Sequence, residues 1–343
     1  MVTVGVALVW VLSSVAVAVA APLRVVATVP DVAALVRAVG GGEVTVTVLA
    51  KPTEDPHFVE ARPSFVKALS EADLVALLGM DLERGYLPLL LQSARNRRIL
   101  AGAPGYVDCS TAVTILETPS GPVDRSMGDV HPFGNPHYLP DPINGLRVAR
   151  LVRDRLAAAR PEARDGFERR TAEFARRLGE RLVGEALAAK YDVEKLATLD
   201  ERGGLDDFLA AQGDAKALGG WLGRVRPLRG AKVVDDHNIW AYFARRFGLD
   251  IVGHMEPKPG IPPTTHHLEL LVGLMKAQQI RVILASSFYD PRHAAFLAEH
   301  TGARVVPMAN QAGSRPGTDD YLDWVDYNVR QVVEALGKGG SGA

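Results

Sequence analysis

The feature that most constrains this chain is a repeated switch of hydrophobic period. Short β-branched runs alternate with amphipathic stretches of helical spacing, and they do so in two separate blocks. In the first block LRVVATV (23–29) reads as a buried strand and VAALVRAVGG as a helix closed by glycine. VTVTVLA (44–50) follows as a second strand, SFVKALSEA as a second helix and LVALLG (74–79) as a third strand. In the second block AKVV (231–234), DIVGHM, RVILAS (281–286) and ARVVPM read as strands. The helices WAYFARRFG, HHLELLVGLMKAQQ and PRHAAFLAEHTG separate them, and residues 321–336 form a closing helix. Strands joined through helices pair in parallel, so each block predicts an α/β lobe: a parallel sheet flanked by helices. A chain of 343 residues has room for two such lobes.

Between the blocks the pattern is helical. PEARDGFERRTAEFARRLGERLVGEALAAKY runs for about thirty residues without an internal proline. As one helix it would extend about 45 Å at about 1.5 Å per residue, which suits a rigid link between lobes; a surface helix packed on one lobe is the plainer reading. The expected organisation is a first lobe over 21–158, a linking helix over 159–191, a Gly-rich helical insertion over 192–229 and a second lobe over 230–336. GKGGSGA (337–343) has no apolar face and reads as a disordered tail.

The N-terminal stretch MVTVGVALVWVLSSVAVAVAAPL carries no charged side chain, and Ala18-Val19-Ala20 supplies a small-x-small cleavage pattern. Residues 1–20 are therefore expected to be a secretory signal peptide; an uncleaved anchor is the competing reading. Cys109 is the single cysteine, which excludes an intrachain disulfide and a four-cysteine zinc site. No cysteine follows the apolar run, which argues against a lipid anchor. A net charge of -1 without a basic block argues against nucleic acid as a partner. Any site for a borderline metal must then be built from histidine and carboxylate.

Nine histidines are present. Three of them sit in loops beside the expected strands. His57 lies in KPTEDPHFVEARPS after the second strand, His137 in GNPHYLPDP, and His237 in VVDDHNIW at the end of the strand AKVV. Ligands of open parallel sheets bind beyond the carboxyl ends of the strands. Pro56 and Pro136 stiffen two of these loops, so less entropy is lost when an imidazole is fixed there. Three imidazoles from two lobes suit zinc.

The chain resembles the zinc/manganese class of ABC-transporter solute-binding proteins, the metal-binding receptors of cluster A-I. The resemblance is carried by DPHFVEARPSFVKALSEADLVALLGMDLE (55–83), GDVHPFGNPHYLPDP (128–142), DDHNIWAYFARRFGLDIVGHMEPKPGIPP (235–263), VILASSFYDPR and DYLDWVDYN. It implies two α/β lobes joined by one long helix, with a metal in the cleft held by His57, His137 and His237. It also implies a carboxylate from the second lobe, and here the sequence departs. Ser286 stands where many members have Glu, and PMANQAG replaces a stretch that often carries Asp. Asn310, Asp290, Asp236 or a water is expected to supply the fourth position. The histidine-rich loop of zinc-specific members is reduced to ETPSGPVDRSMGDVHP, with only His131, read as an auxiliary ligand or a surface residue.

Other candidates read as supporting parts. Glu60, three residues after His57, is expected to orient that imidazole, with Asp236 in a similar role. His266 and His267 read as exposed, His254 as cleft-lining or core, His293 and His300 as surface. Trp240, Tyr242 and Phe243 read as packing behind His237. No GxSxG, GxGxxG, P-loop or HExxH occurs.

The expected function is non-enzymatic: a monomeric periplasmic receptor that captures Zn2+, or Mn2+, and delivers it to the inner-membrane permease of an ABC transporter. Two alternatives stand beside it. One is a zinc-dependent hydrolase using an open fourth coordination position; the other is a periplasmic metal chaperone.

Overall fold

The computed structural model describes residues 21–121, 131–258 and 260–337. The expected signal peptide and residues 338–343 of the expected tail lie outside the described residues. Among the described residues no helix is long and apolar enough to cross a membrane.

The first sheet contains β1 (Leu23–Ala27), β2 (Val44–Val48), β3 (Leu74–Leu77) and β4 (Tyr106–Asp108), all parallel, in the order β2-β1-β3-β4. β3 is buried throughout and β1 nearly so, as central strands covered on both faces must be. β2 alternates between half-buried and exposed positions, as an edge strand does. The sequence gives no periodic signal for β4, which has only three residues.

The second sheet contains β5 (Lys232–Asp235), β6 (Asp250–His254), β7 (Val282–Ala285) and β8 (Arg304–Pro307), in the order β6-β5-β7-β8. Both lobes therefore reverse winding direction between their first and third strands, and clefts form at such switch points. The α/β fold with two sheets flanked by helices agrees with the hydrophobic pattern.

In the first lobe α1 (Pro30–Gly40), α2 (Pro63–Glu71) and α3 (Leu87–Ala94) each have proline in the first turn, where the missing N–H costs nothing. α4 (Pro142–Ala159) is capped by Asp141, whose Oδ1 accepts from Ile143 N at 2.9 Å.

The expected thirty-residue link is not one helix. α5 (Arg164–Val183) stops at Gly184, and α6 (Glu185–Lys190) follows it. Gly184 takes φ +89°, and a Cβ there would lie 3.2 Å from Gly219 Cα. The chain therefore turns at a close backbone approach that only glycine accommodates without strain. Phe167, Phe174, Leu178 and Leu182 form a buried stripe on α5, which packs on α1 and α4. It also touches α9 (Gly220–Val225) and α13 (Tyr321–Gly337). The helix is thus a packed beam in contact with both halves.

The segment expected to be an insertion forms α7 (Val193–Glu201), α8 (Leu205–Ala211) and α9. Its Leu196, Leu205, Leu209 and Trp221 are buried in the main core. α10 (Ala241–Phe247), α11 (Thr265–Ala277) and α12 (Pro291–Thr301) complete the second lobe.

One hydrophobic core runs through both halves, and a smaller cluster around Val234, Ile283, Leu268 and Leu297 occupies one part of the second lobe. Polar groups lock the shared core. Arg246 of α10 makes a buried bidentate pair with Asp141, 2.9 Å on each arm. Tyr321 donates its hydroxyl to Leu139 O at 2.6 Å, and a Cβ on Gly145 would lie 2.0 Å from that hydroxyl. Asp31 of α1 accepts from Ala312 N across the halves at 2.6 Å.

Candidate metal centre

Two of the three loop histidines are set by the same local device. Asp55-Pro56-His57 and Asn135-Pro136-His137 each place a short polar side chain two residues before the imidazole. Asp55 Oδ1 accepts from His57 N at 2.9 Å, and Asn135 Oδ1 accepts from His137 N at 2.9 Å. These are Asx turns, tightened by the proline between. Asp55 Oδ1 also takes the His57 ring Nδ1 at 2.7 Å, which leaves Nε2 facing the cleft side of the ring toward His131.

His237 is set differently. It follows β5 by two residues, and the residues before it reach to neighbouring strands. Asp235 Oδ1 pairs with His254 Nδ1 at 2.5 Å, and Asp236 Oδ2 accepts from Ser286 N at the end of β7. Trp240, Tyr242 and Phe243, which follow it in the chain, are buried.

These elements bring His57, His137 and His237 together: one ligating nitrogen from each lies within 4.8 Å of the others. The ring centroids are 5.2 Å apart for His57–His137, 6.1 Å for His57–His237 and 5.9 Å for His137–His237. Nitrogens about 2.0–2.1 Å from a tetrahedral zinc would be about 3.4 Å apart, so a contraction of little more than 1 Å suffices. His137 Nε2 and His237 Nδ1 are buried with no hydrogen-bond partner. Such groups are costly to leave unsatisfied, and a donor set of this kind fits a divalent cation.

The electrostatics disfavour the charged form of two of these imidazoles, His137 and His131. Burial, then the charges of His57, His237 and His131, push the His137 pKa well below the usual histidine value. Burial followed by His57 and His237 lowers His131 to about 3. Burial works against the charged form of Asp55, but its hydrogen bond and attraction to His57 outweigh that and hold its pKa below the usual value. Neutral imidazoles are the metal-binding form.

The remaining candidates separate. His131 stands against one side of the cluster, its Nε2 3.1 Å from His57 Nε2 and its ring stacked on His57 with centroids 5.2 Å apart. Glu60 is exposed and pairs with Arg62; the carboxylate that orients His57 is Asp55. Residues 57–62 are loop, which leaves Glu60 directed to Arg62 rather than to the imidazole. Asp290 is taken up by capping α12 and pairing with Arg292. Asn310 accepts from Ser287 Oγ at 2.9 Å. Its unpartnered Nδ2 belongs to a side chain that lines a cavity of about 30 Å³ beside His137, Asp31 and Trp240. Asp236 is held by Ser286, and burial raises its pKa to about 8.

A carboxylate absent from the sequence-derived candidates stands beside one of the three imidazoles. Glu256 Oε2 lies 3.4 Å from His237 Nδ1 and accepts from Gly260 N at 3.0 Å. Its position at the head of Glu-Pro-Lys-Pro-Gly, just past a strand end, was the available signal.

The family model of the periplasmic zinc-uptake complex component A, ZnuA, matches residues 25–190 and 221–335. The chain belongs to this family. Residues between 190 and 221, including α7 and α8, fall outside the match. Among curated relatives, a manganese ABC transporter substrate-binding lipoprotein, PsaA of Streptococcus mitis, is 21% identical over 92% of this chain and 90% of its own. The zinc-binding protein AdcA of Streptococcus pyogenes is 22% identical over 92% of this chain and 57% of its own. A zinc-bound ZnuA deletion mutant superposes with a TM-score of 0.67 at 21% identity, covering 92% of this chain and 98% of that structure. A manganese-bound periplasmic metal-binding protein from Candidatus Liberibacter asiaticus gives 0.62 at 16% identity, covering 91% and 98%.

Proposed function

We propose that this protein is the extracytoplasmic solute-binding component of an ABC transporter. It captures a divalent transition metal between its lobes and passes it to an inner-membrane permease. The observation that carries this reading is the convergence of His57, His137 and His237 from both halves within 4.8 Å, two of them with orphaned buried nitrogens. The family membership agrees with it, and so do the transport roles in the names of its relatives. The metal is cargo, and no bond of a substrate is made or broken.

The donor set favours zinc over manganese. Neutral imidazoles suit borderline ions, whereas manganese prefers carboxylate oxygen. His131, beside His57, and Glu256, beside His237, are the groups we propose to complete the coordination, ahead of Asn310 and Asp290. The protein works as a monomer in the periplasm, released by cleavage of residues 1–20.

Competition titration of the mature protein with Zn2+ and Mn2+ tests the reading. Wild type is expected to hold zinc the tighter, and His137→Ala to lose tight zinc binding. An unchanged zinc constant in that variant removes the three-histidine centre.

A further inference from the structure

Glu117 has a backbone that a glutamate adopts at a cost: φ is +56°, in the left-handed region that favours glycine. Its side chain faces two ligand-bearing segments at once. One carboxylate oxygen, Oε2, accepts from Asn135 Nδ2 at 2.9 Å and from Asn238 Nδ2 at 2.5 Å. Asn135 is the turn residue that fixes His137 N, and Asn238 directly follows His237. Asn135 Nδ2 also donates to Asn238 O at 2.8 Å, so the two asparagines and Glu117 form a closed triangle between the lobes.

The loop segment that carries Glu117 is fitted to this contact. Leu116 O accepts from Asn135 N at 2.9 Å, and Leu116 N donates to the Tyr242 hydroxyl at 2.8 Å. That hydroxyl in turn donates to Asn135 O at 3.0 Å. A Cβ on Gly134 would lie 2.7 Å from Leu116 O, so glycine is needed for the approach. The position is solvent-exposed, which limits what the carboxylate adds to folding. What it adds is a cross-link between two segments whose imidazoles must stay in register.

We propose that Glu117 is a positioning residue for the metal centre: its carboxylate latches the His137 loop to the His237 strand end and slows metal release. The proposal rests on the three-histidine centre described above. Partners that orient ligands commonly change metal affinity by tenfold or more, and exposure reduces the figure here.

The test is zinc release from the loaded full chain into excess chelator, followed by the chelator's absorbance. Glu117→Ala is expected to release zinc about five- to twentyfold faster than wild type, with the melting temperature of the metal-free protein nearly unchanged. Glu117→Gln keeps an acceptor oxygen and is expected to stay within about threefold of wild type. Asn238→Ala attacks the same latch from the other lobe and should match Glu117→Ala; the double variant should release no faster than either. Release from Glu117→Ala within twofold of wild type overturns the latch. So do multiplicative effects in the double variant, or a fall in metal-free stability large enough to account for the faster release. If wild type itself retains no zinc, the metal centre fails and the latch with it. If wild type retains zinc and the variants release it at the wild-type rate, only the latch fails.

Discussion

In the first lobe His57 and His137 are each oriented by a residue two places upstream, Asp55 or Asn135, across an intervening proline. In the second lobe His237 is oriented by a strand end. Its neighbours Asp235 and Asp236 are spent on His254 and Ser286, which belong to or follow other strands of the sheet. The first arrangement is a turn that forms from contiguous residues. The second exists only when β5, β6 and β7 are assembled. One lobe thus presents imidazoles on stiff local loops, and the other presents an imidazole on the rigidity of its sheet.

That contrast can be broken most directly at the ligands. His57→Ala and His237→Ala should each weaken zinc binding by more than about a hundredfold, since each removes a donor rather than its support. Isothermal titration that finds a large loss in one lobe and none in the other would reduce the centre to a single-lobe site.

The supporting residues sharpen the comparison with a smaller effect. Asn135→Ala and Asp55→Ala should weaken zinc binding by about 10–100-fold with a modest change in stability. Asp236→Ala should act the other way round. It strands the Ser286 N–H and should cost about 1–3 kcal/mol of stability, with a smaller change in affinity for the folded protein. Calorimetric melting of the metal-free proteins beside titration separates the two patterns. Equal stability losses in all three variants would erase the distinction.

The joint between the halves gives the smallest effect and a definite sign. Burial raises the Asp31 pKa from 3.8 to about 7, opposed by its bond from Ala312 N. The native state therefore holds a proton there that the unfolded chain has lost. Stability from this group is complete below about pH 4 and is lost as pH rises toward 7. Asp31→Asn keeps an acceptor and does not titrate. Its stability relative to wild type should rise by about 1 kcal/mol per pH unit between about pH 5 and 7. A difference that is flat with pH, measured by denaturant unfolding, would contradict this assignment.

Much of this was legible in the chain. The alternation of LRVVA, VTVTV and LVAL with helical stretches is a local signal, and it anticipates seven of the eight strands. The loop positions of His57, His137 and His237 follow from the strands beside them. Other features depended on contacts distant in sequence. Gly184 ends α5 because Gly219 approaches it, and nothing in the local helical pattern announces that approach. Glu60 reads as the partner of His57 by its nearness in sequence, but the loop turns it to Arg62 and Asp55 takes the ring instead. The repeated Asx-Pro-His was visible as a pattern, but its meaning lay in two backbone hydrogen bonds.

By itself the sequence determined most of the strands and helices, the stiff turns and which histidines stand in loops, because period, proline and Asx chemistry act over a few residues. Tertiary structure decided which nitrogens meet and which carboxylates stand near them. His237 and Glu256 meet through the strand ends of one sheet, while Glu117 joins Asn135 and Asn238 across the two halves. Such meetings depend on the packing of whole lobes around a shared core, and short-range sequence patterns do not encode where distant chain segments come to rest.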